Sequence, residues 1–496
     1  MKEATITRAA AAGAADAAQQ ALAGIMERLH PRLRREFPAL ERNIAGGRRL
    51  YLNNAGGTIV CERSARMMAR TALFANPQDG AITLGERATA ELHEAARSAV
   101  ADFLNAPATA EIAFHQSASH ALFNLAVALR HHLVRGDNIV VTALDHAANV
   151  SPWESLFGAD RGLEVRCCRM RRDGTLDLDH LAGLVDGRTR VVAVTRASNA
   201  LGSVVPIEVV ARIAHRGGLP RPPSRPGRPW RGALVVVDAV HYAPHGPIDV
   251  RTLGCDLLVF AGYKVFGPMT GVLWGRRVWL EALRPYRVEP NADRAPFKFE
   301  QGTPNHAVMM GLAAAIGYLA WLGGQVEEAA AGVPALAPLG RSLRRSGYGA
   351  ARRRLKWAMH AIVAWEGRLS GEVIAGWRRD LAPLGVRLHG VTDPRRLADR
   401  VPTFLFEIPG WTQEEVKRAL WRRSRIEVPS GNYYAPAVYR HLRSRRTIRA
   451  SFAHYDTPVT ARCLVRALRG VARRAPRGAA QRAAGAGRGR PRPVDR

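Results

Sequence analysis

Lysine and cysteine are both scarce in this 496-residue chain, which has only five of each. The cysteines Cys61, Cys167, Cys168, Cys255 and Cys463 form no CxxC pair and no zinc-ligand spacing, so no metal site is indicated. An odd count also suits reduced thiols better than a disulfide framework. Cys167 and Cys168 fall in "LEVRCC", which reads as a strand, so one thiol is expected to face the core. Long hydrophobic runs are missing too. The longest apolar stretch, Met309 to Leu322, is interrupted by glycines and falls short of the roughly 20 residues that span a bilayer. It reads as a buried helix, and no membrane association is expected. The first thirty residues carry Glu3, Asp16 and Glu27 and lack the apolar core and cleavage site of a secretory signal, which points to the cytoplasm.

The formal net charge of +31 would ordinarily suggest a nucleic-acid partner. However, 68 of the 73 basic residues are arginines, scattered among alanines and prolines as a compositional bias would scatter them. Clustered basic residues interleaved with aromatics are approached only in 219–232 and in the tail, so nucleic-acid binding is not expected. Arginine holds its proton and forms no imine. A lysine kept against such a bias therefore marks a place where an amine is needed, and Lys264 is the one whose surroundings suggest chemistry.

A chain this long divides into more than one unit. Residues 1–30 read as an alanine-rich N-terminal extension, 31–330 as a large domain, 331–384 as a connecting helical region, 385–472 as a small α+β domain and 473–496 as a basic low-complexity tail. Residues 219–232, "LPRPPSRPGRPWRG", form a Pro/Arg-rich insertion in the large domain. Expected strands are 111–115, 138–143, 163–168, 190–196, 233–238 and 257–262, with helical stretches such as 119–134, 177–186 and 206–216 between several of them. Continuous apolar strands alternating with helices predict an α/β fold, a mostly parallel sheet with helices on both faces. Ligands then gather at the carboxyl ends of the strands.

Lys264 follows the run "LLVFAG" and precedes Gly267 and Gly271 in what reads as a tight turn. A desolvated amine there loses its proton more readily and becomes a nucleophile toward aldehydes. Asp238 ends the preceding strand, where a carboxylate would keep the pyridine nitrogen of pyridoxal 5'-phosphate (PLP) protonated; capping the next turn is the plain alternative. Asn199 and His146 follow two other strands, one able to hydrogen-bond a phenolic oxygen and the other flat enough to stack on a ring. Ser117, Ser119 and His120 begin a helix, where free amides and the dipole favour a phosphate.

In order, "YLNNAGG", the Ser119 turn, "DHAANVSPW", "SNALG", "VVVDAVH", "GYKVFGP", "EQGTPNH" and "IRASFAHYDT" resemble the class V aminotransferase family of fold-type I PLP-dependent enzymes, and most closely its cysteine-desulfurase-like branch. The resemblance runs from about Tyr51 to Leu468. It implies a large mostly parallel sheet domain and a small C-terminal α+β domain. It also implies PLP bound as a Schiff base on Lys264, Asp238 at the pyridine nitrogen and His146 stacked on the ring, with Asn199 and His241 near the phenolic oxygen. Ser119, His120 and Thr303 would serve the phosphate, Thr303 reaching the neighbouring subunit of a homodimer. Arg449 would hold the α-carboxylate of a small amino-acid-like substrate.

The chain departs from the family pattern in several places. Ala261 stands where a phosphate-binding serine is common, Tyr263 replaces the usual histidine, and His120 occupies a threonine position. The loop 427–439, "EVPSGNYYAPAVY", contains no cysteine where desulfurases carry their persulfide thiol. Lyase or related Cα/Cβ chemistry without a persulfide cysteine is therefore expected. The alternatives are a PLP-fold protein whose catalysis is lost in favour of binding or regulation, and a true desulfurase using an unrecognised thiol.

Overall fold

The computed structural model describes residues 2–44, 46–75, 78–158, 162–222, 230 and 232–474, with side chains from residue 13 onward. Most of the 219–232 insertion, and the tail beyond 474, lie outside the described residues.

Seven strands form the central sheet. They are β2 (Ile112–His115), β3 (Asn138–Thr142), β4 (Glu164–Cys168), β5 (Thr189–Thr195), β6 (Leu234–Asp238), β7 (Leu257–Ala261) and β8 (Gly271–Gly275), in the order β2-β8-β7-β6-β5-β3-β4. The pairs from β7 to β4 are parallel, and only β8 runs against its neighbours. Alternate residues face opposite sides, and both sides are covered. In β6, Val235 and Val237 enter one apolar cluster while Leu234 and Val236 enter the other. Double burial makes the run continuously apolar, which is why the six expected strands were readable.

The seventh strand was not expected. Its sequence, "GVLWG", is a short apolar run bounded by glycines, which periodicity alone cannot assign. Gly271 is required there, because a Cβ would fall 2.2 Å from the backbone of Ser117. That close approach seats the helix Ala118–Leu129 against β8. Within β4, Cys168 is buried and Cys167 exposed, so one thiol of the pair does face the core.

A second, antiparallel sheet has the order β12-β10-β9, from β9 (Arg387–His389), β10 (Thr403–Glu407) and β12 (Thr447–Ser451). Its helices, Gln413–Ser424 and Pro458–Ala472, each start with a threonine capping box, at Thr412 and Thr457. A short parallel pair, β1 (Leu50–Tyr51) with β11 (Ile426–Glu427), brings the 427–439 loop beside the early "YLNNAGG" segment.

The helix His306–Ala330 is longer than the run read from the sequence, and by length and composition it could cross a membrane. Met309, Leu312, Ile316, Leu319, Leu322 and Val326 instead join the main core. It packs against Ala350–Gly376, where Gly323 admits the Arg354 carbonyl at a point no side chain could occupy. The N-terminal helix, Lys2–Arg34, also packs on Ala350–Gly376 and buries Leu22, Ile25, Met26 and Leu33 in the same core.

Candidate active site

The carboxyl ends of β5, β6 and β7 open into a cavity of about 590 Å³, closed from the other side by residues of β12 and the Pro429–Tyr434 loop. Lys264 ends a single 3-10 turn directly after β7, and its Nζ donates to the carbonyl of Ala55. Burial, and next the Arg449 guanidinium, bring Lys264 from 10.5 down to about 7 against the opposing pull of Asp238. Asp238 closes β6, with Oδ1 accepting from the Val240 amide at 2.9 Å. Burial pushes its carboxyl up to about 6, although the Val240 amide and Lys264 both favour the charged form.

His146 is held by its own turn, its Nδ1 accepting from the Ala148 amide at 3.0 Å. Burial, then Lys264 and Arg449, lower it to about 4, so its ring is neutral at pH 7 and its proton sits on Nε2. Arg449 lies on β12, 3% exposed, donating from Nη1 to the Asn199 carbonyl at 2.8 Å and from Nη2 to Asn53 Oδ1 at 3.1 Å. Its guanidinium also covers the Tyr433 ring at 4.3 Å.

The Pro429–Tyr434 loop forms part of the cavity wall. Asn199 Nδ2 donates to the Tyr433 carbonyl at 2.7 Å, and the Ala147 amide donates to that of Tyr434 at 2.6 Å. The Tyr434 ring stacks on His146 with centroids 5.3 Å apart.

Three polar atoms of lining residues are buried without a protein partner: Asn199 Oδ1, His241 Nδ1 and Arg449 Nε. Buried polar groups are nearly always satisfied, so these orphans indicate that the cavity is built for a polar ligand. At one end lie Ala118 and Ser119, in the first turn of the helix Ala118–Leu129, where unpaired amides suit an anion. An amine, a carboxyl, a flat imidazole and a helix N-terminus around one space fit a phosphorylated pyridine aldehyde.

Residues 50–332 match the family model described as Aminotransferase class-V. This chain belongs to the class-V aminotransferase family. A cysteine desulfurase of Klebsiella pneumoniae (strain 342) is 35% identical over 311 residues, covering 59% of this chain and 72% of the relative. One from Serratia proteamaculans (strain 568) is 36% identical over 310 residues, with the same coverage. Among solved structures, a cysteine desulfurase from Thermococcus onnurineus NA1 aligns with a TM-score of 0.72 at 25% identity, over 89% of this chain and 98% of the other. One from Escherichia coli aligns with a TM-score of 0.69 at 24% identity and the same coverage, a likeness of fold alone.

Of the residues singled out in this class-V aminotransferase, Lys264, Asp238, His146, Ser119, Asn199, His241 and Arg449 all line the cavity. His120 and Thr303 do not. They line a second cavity of about 370 Å³, where His120 Nε2 is 2.9 Å from Gln301 Oε1. Successive helical residues diverge by about 100°, and here Ser119 lines the central cavity while His120 lines the second one. Three residues were not anticipated by role. Asn53 supports Arg449 and was visible only inside "YLNNAGG". Asp145 is fully buried, bonds Thr142 and takes a 2.8 Å bond from Asn149 Nδ2; burial drives it up to about 8. Tyr263 puts its ring 5.1 Å from Lys264 Nζ and within 3.3 Å of where a Cβ on Gly57 would stand, so it forms the floor beside the amine.

Proposed function

We propose that this class-V aminotransferase is a PLP-dependent enzyme that acts on a small amino-acid-like substrate by lyase or related Cα/Cβ chemistry, without a persulfide cysteine. One observation carries the reading: a buried Lys264, whose amine burial brings down to about 7, shares its cavity with buried Asp238 and Arg449. Lys264 would hold the cofactor through its amine, Asp238 its ring nitrogen, His146 its face, Asn199 and His241 its phenolic oxygen, and Ser119 with the helix start its phosphate. Bound there, the cofactor supplies an electron sink for bonds broken at the substrate's α-carbon. Arg449 forks onto the substrate carboxylate, in a bidentate pairing that suits a planar guanidinium. Lys264 would be the group that moves the substrate's α-proton, and a value of about 7 suits a base working near neutral pH. The Pro429–Tyr434 loop shields the site from water.

The named relatives are desulfurases, which makes sulfur transfer the competing reading. No cysteine lines the cavity among the described residues. Burial raises the thiols of Cys61 to about 11 and Cys168 to about 12, and also raises Cys167 and Cys255. A persulfide acceptor needs the opposite, an accessible thiol with a lowered value. The proposal includes a homodimer in which Thr303, exposed beside Met269 at the second cavity, reaches the neighbouring site. Phe74, Ile82, Leu84 and Met269 are all about 80% exposed, as expected of a surface covered by a second copy.

The test is a screen of amino acids against the purified protein loaded with PLP, following the cofactor's absorbance bands. A band shift with release of a product other than sulfide supports the reading. Sulfide released only from cysteine, through a trappable protein persulfide, overturns it.

A further inference from the structure

The turn after β6 carries two histidines four residues apart, and only His241 lines the cavity. Its Nε2 is 3.1 Å from Thr403 Oγ1, which leaves Nδ1 as the buried, unpartnered nitrogen. The His245 ring stands edge-on to it, with centroids 5.2 Å apart. His245 Nδ1 lies 2.8 Å from Glu366 Oε2, and the two side chains are 1% and 4% exposed. Glu366 comes from the helix Ala350–Gly376, and its other oxygen is buried without a partner. A buried polar pair is often no more stabilising than apolar residues of similar volume, so one placed behind a ligand cavity calls for a role beyond stability.

We propose that His245 and Glu366 form a positioning dyad for His241. Their bond fixes the His245 ring edge-on to His241, and this packing, with the Thr403 contact at Nε2, sets the His241 ring so that Nδ1 is free to hydrogen-bond the ligand in the cavity. The proposal rests on the PLP reading above. The groups facing His241 agree with it: burial, then His245, Lys264 and Arg449, hold it well below the ordinary histidine range. Asp456, Tyr455 and His454, in the segment after β12, interact electrostatically with the pair. Burial raises Asp456 to about 7 and raises Tyr455, with the Glu366 charge adding to both. Burial, with His30 and His245 adding to it, lowers His454 to about 3. Glu366 is the carboxylate at hydrogen-bond distance from His245.

The experiment is an absorbance titration of the bound cofactor in wild type, Glu366→Gln and His245→Gln, each also in a His241→Asn background. With Glu366→Gln the His245 ring loses the carboxylate that fixes it, His241 loses its set orientation, and the cofactor's phenolic oxygen loses the hydrogen bond from Nδ1 that favours its anionic form. The titration midpoint should therefore rise by about one pH unit, with unchanged cofactor stoichiometry. His245→Gln should give the same shift and keeps the test intact if Glu366→Gln does not fold. Glu366→Asp should restore part of it. In the His241→Asn background neither substitution should move the midpoint. An unshifted midpoint, or an equal shift without His241, overturns the dyad. A wild-type protein that takes up no PLP overturns the cofactor reading and the dyad together.

Discussion

Lys264 should react as an amine at pH values where ordinary lysines are inert. Its value of about 7, against 10.5 for an unperturbed side chain, arises from burial and from Arg449, with Asp238 opposing. At about pH 7.5 an ordinary lysine is neutral in about one molecule in a thousand, and Lys264 in about three-quarters, a several-hundredfold difference in reactive amine. The chain contains only five lysines, so site-by-site labelling is unambiguous. Cofactor-free protein is treated with a trace of a small amine-directed electrophile across pH 5 to 11, and each lysine's labelling rate is read by mass spectrometry, with the exposed Lys417 as reference. The rate at Lys264 should level off above about pH 7. Asp238→Asn should lower that midpoint, since the carboxylate favours the ammonium form, and Arg449→Gln should raise it. A Lys264 profile that parallels Lys417, or substitutions that move the midpoint in the opposite directions, would refute the electrostatic reasoning.

Asp238→Asn should still bind PLP but lose turnover by a factor on the order of 10² to 10³, because an amide cannot hold the ring nitrogen charged; steady-state kinetics on the substrate found by the screen checks this. A variant with all five cysteines replaced by serine or alanine should keep its PLP-dependent activity, measured in the same assay. Arg97 and Glu300 form a buried bidentate pair at 2.6 and 2.7 Å, and Glu300 Oε1 also accepts from the Phe114 amide. Arg97→Met should therefore cost about 3–5 kcal/mol in denaturant unfolding by leaving the carboxylate unpaired.

Readability from the sequence followed the range of the interactions. Strands buried on both faces are short apolar runs, and a parallel sheet gathers ligands at their ends, so Asp238 and Lys264 could be singled out before any geometry was known. Strand β8 lacked such a signal because Gly271, at its start, read as a turn residue, whereas the fold uses it for close packing. Ser119 and His120 were grouped because sequence distance says nothing about which face of a helix a side chain takes. His245 and Glu366 lie 121 residues apart, on a turn and a helix, and only the tertiary fold joins them. The packing role of the N-terminal helix was hidden for a related reason, since an alanine-rich stretch looks the same in solvent and against a core.

The central claim is that Lys264 carries the cofactor. Borohydride reduction of the PLP-loaded protein, followed by peptide mapping, tests it most directly. The account predicts a reduced pyridoxyl adduct on the peptide containing Lys264, lost in Lys264→Ala. An adduct on another lysine, or one that persists in Lys264→Ala, would contradict it.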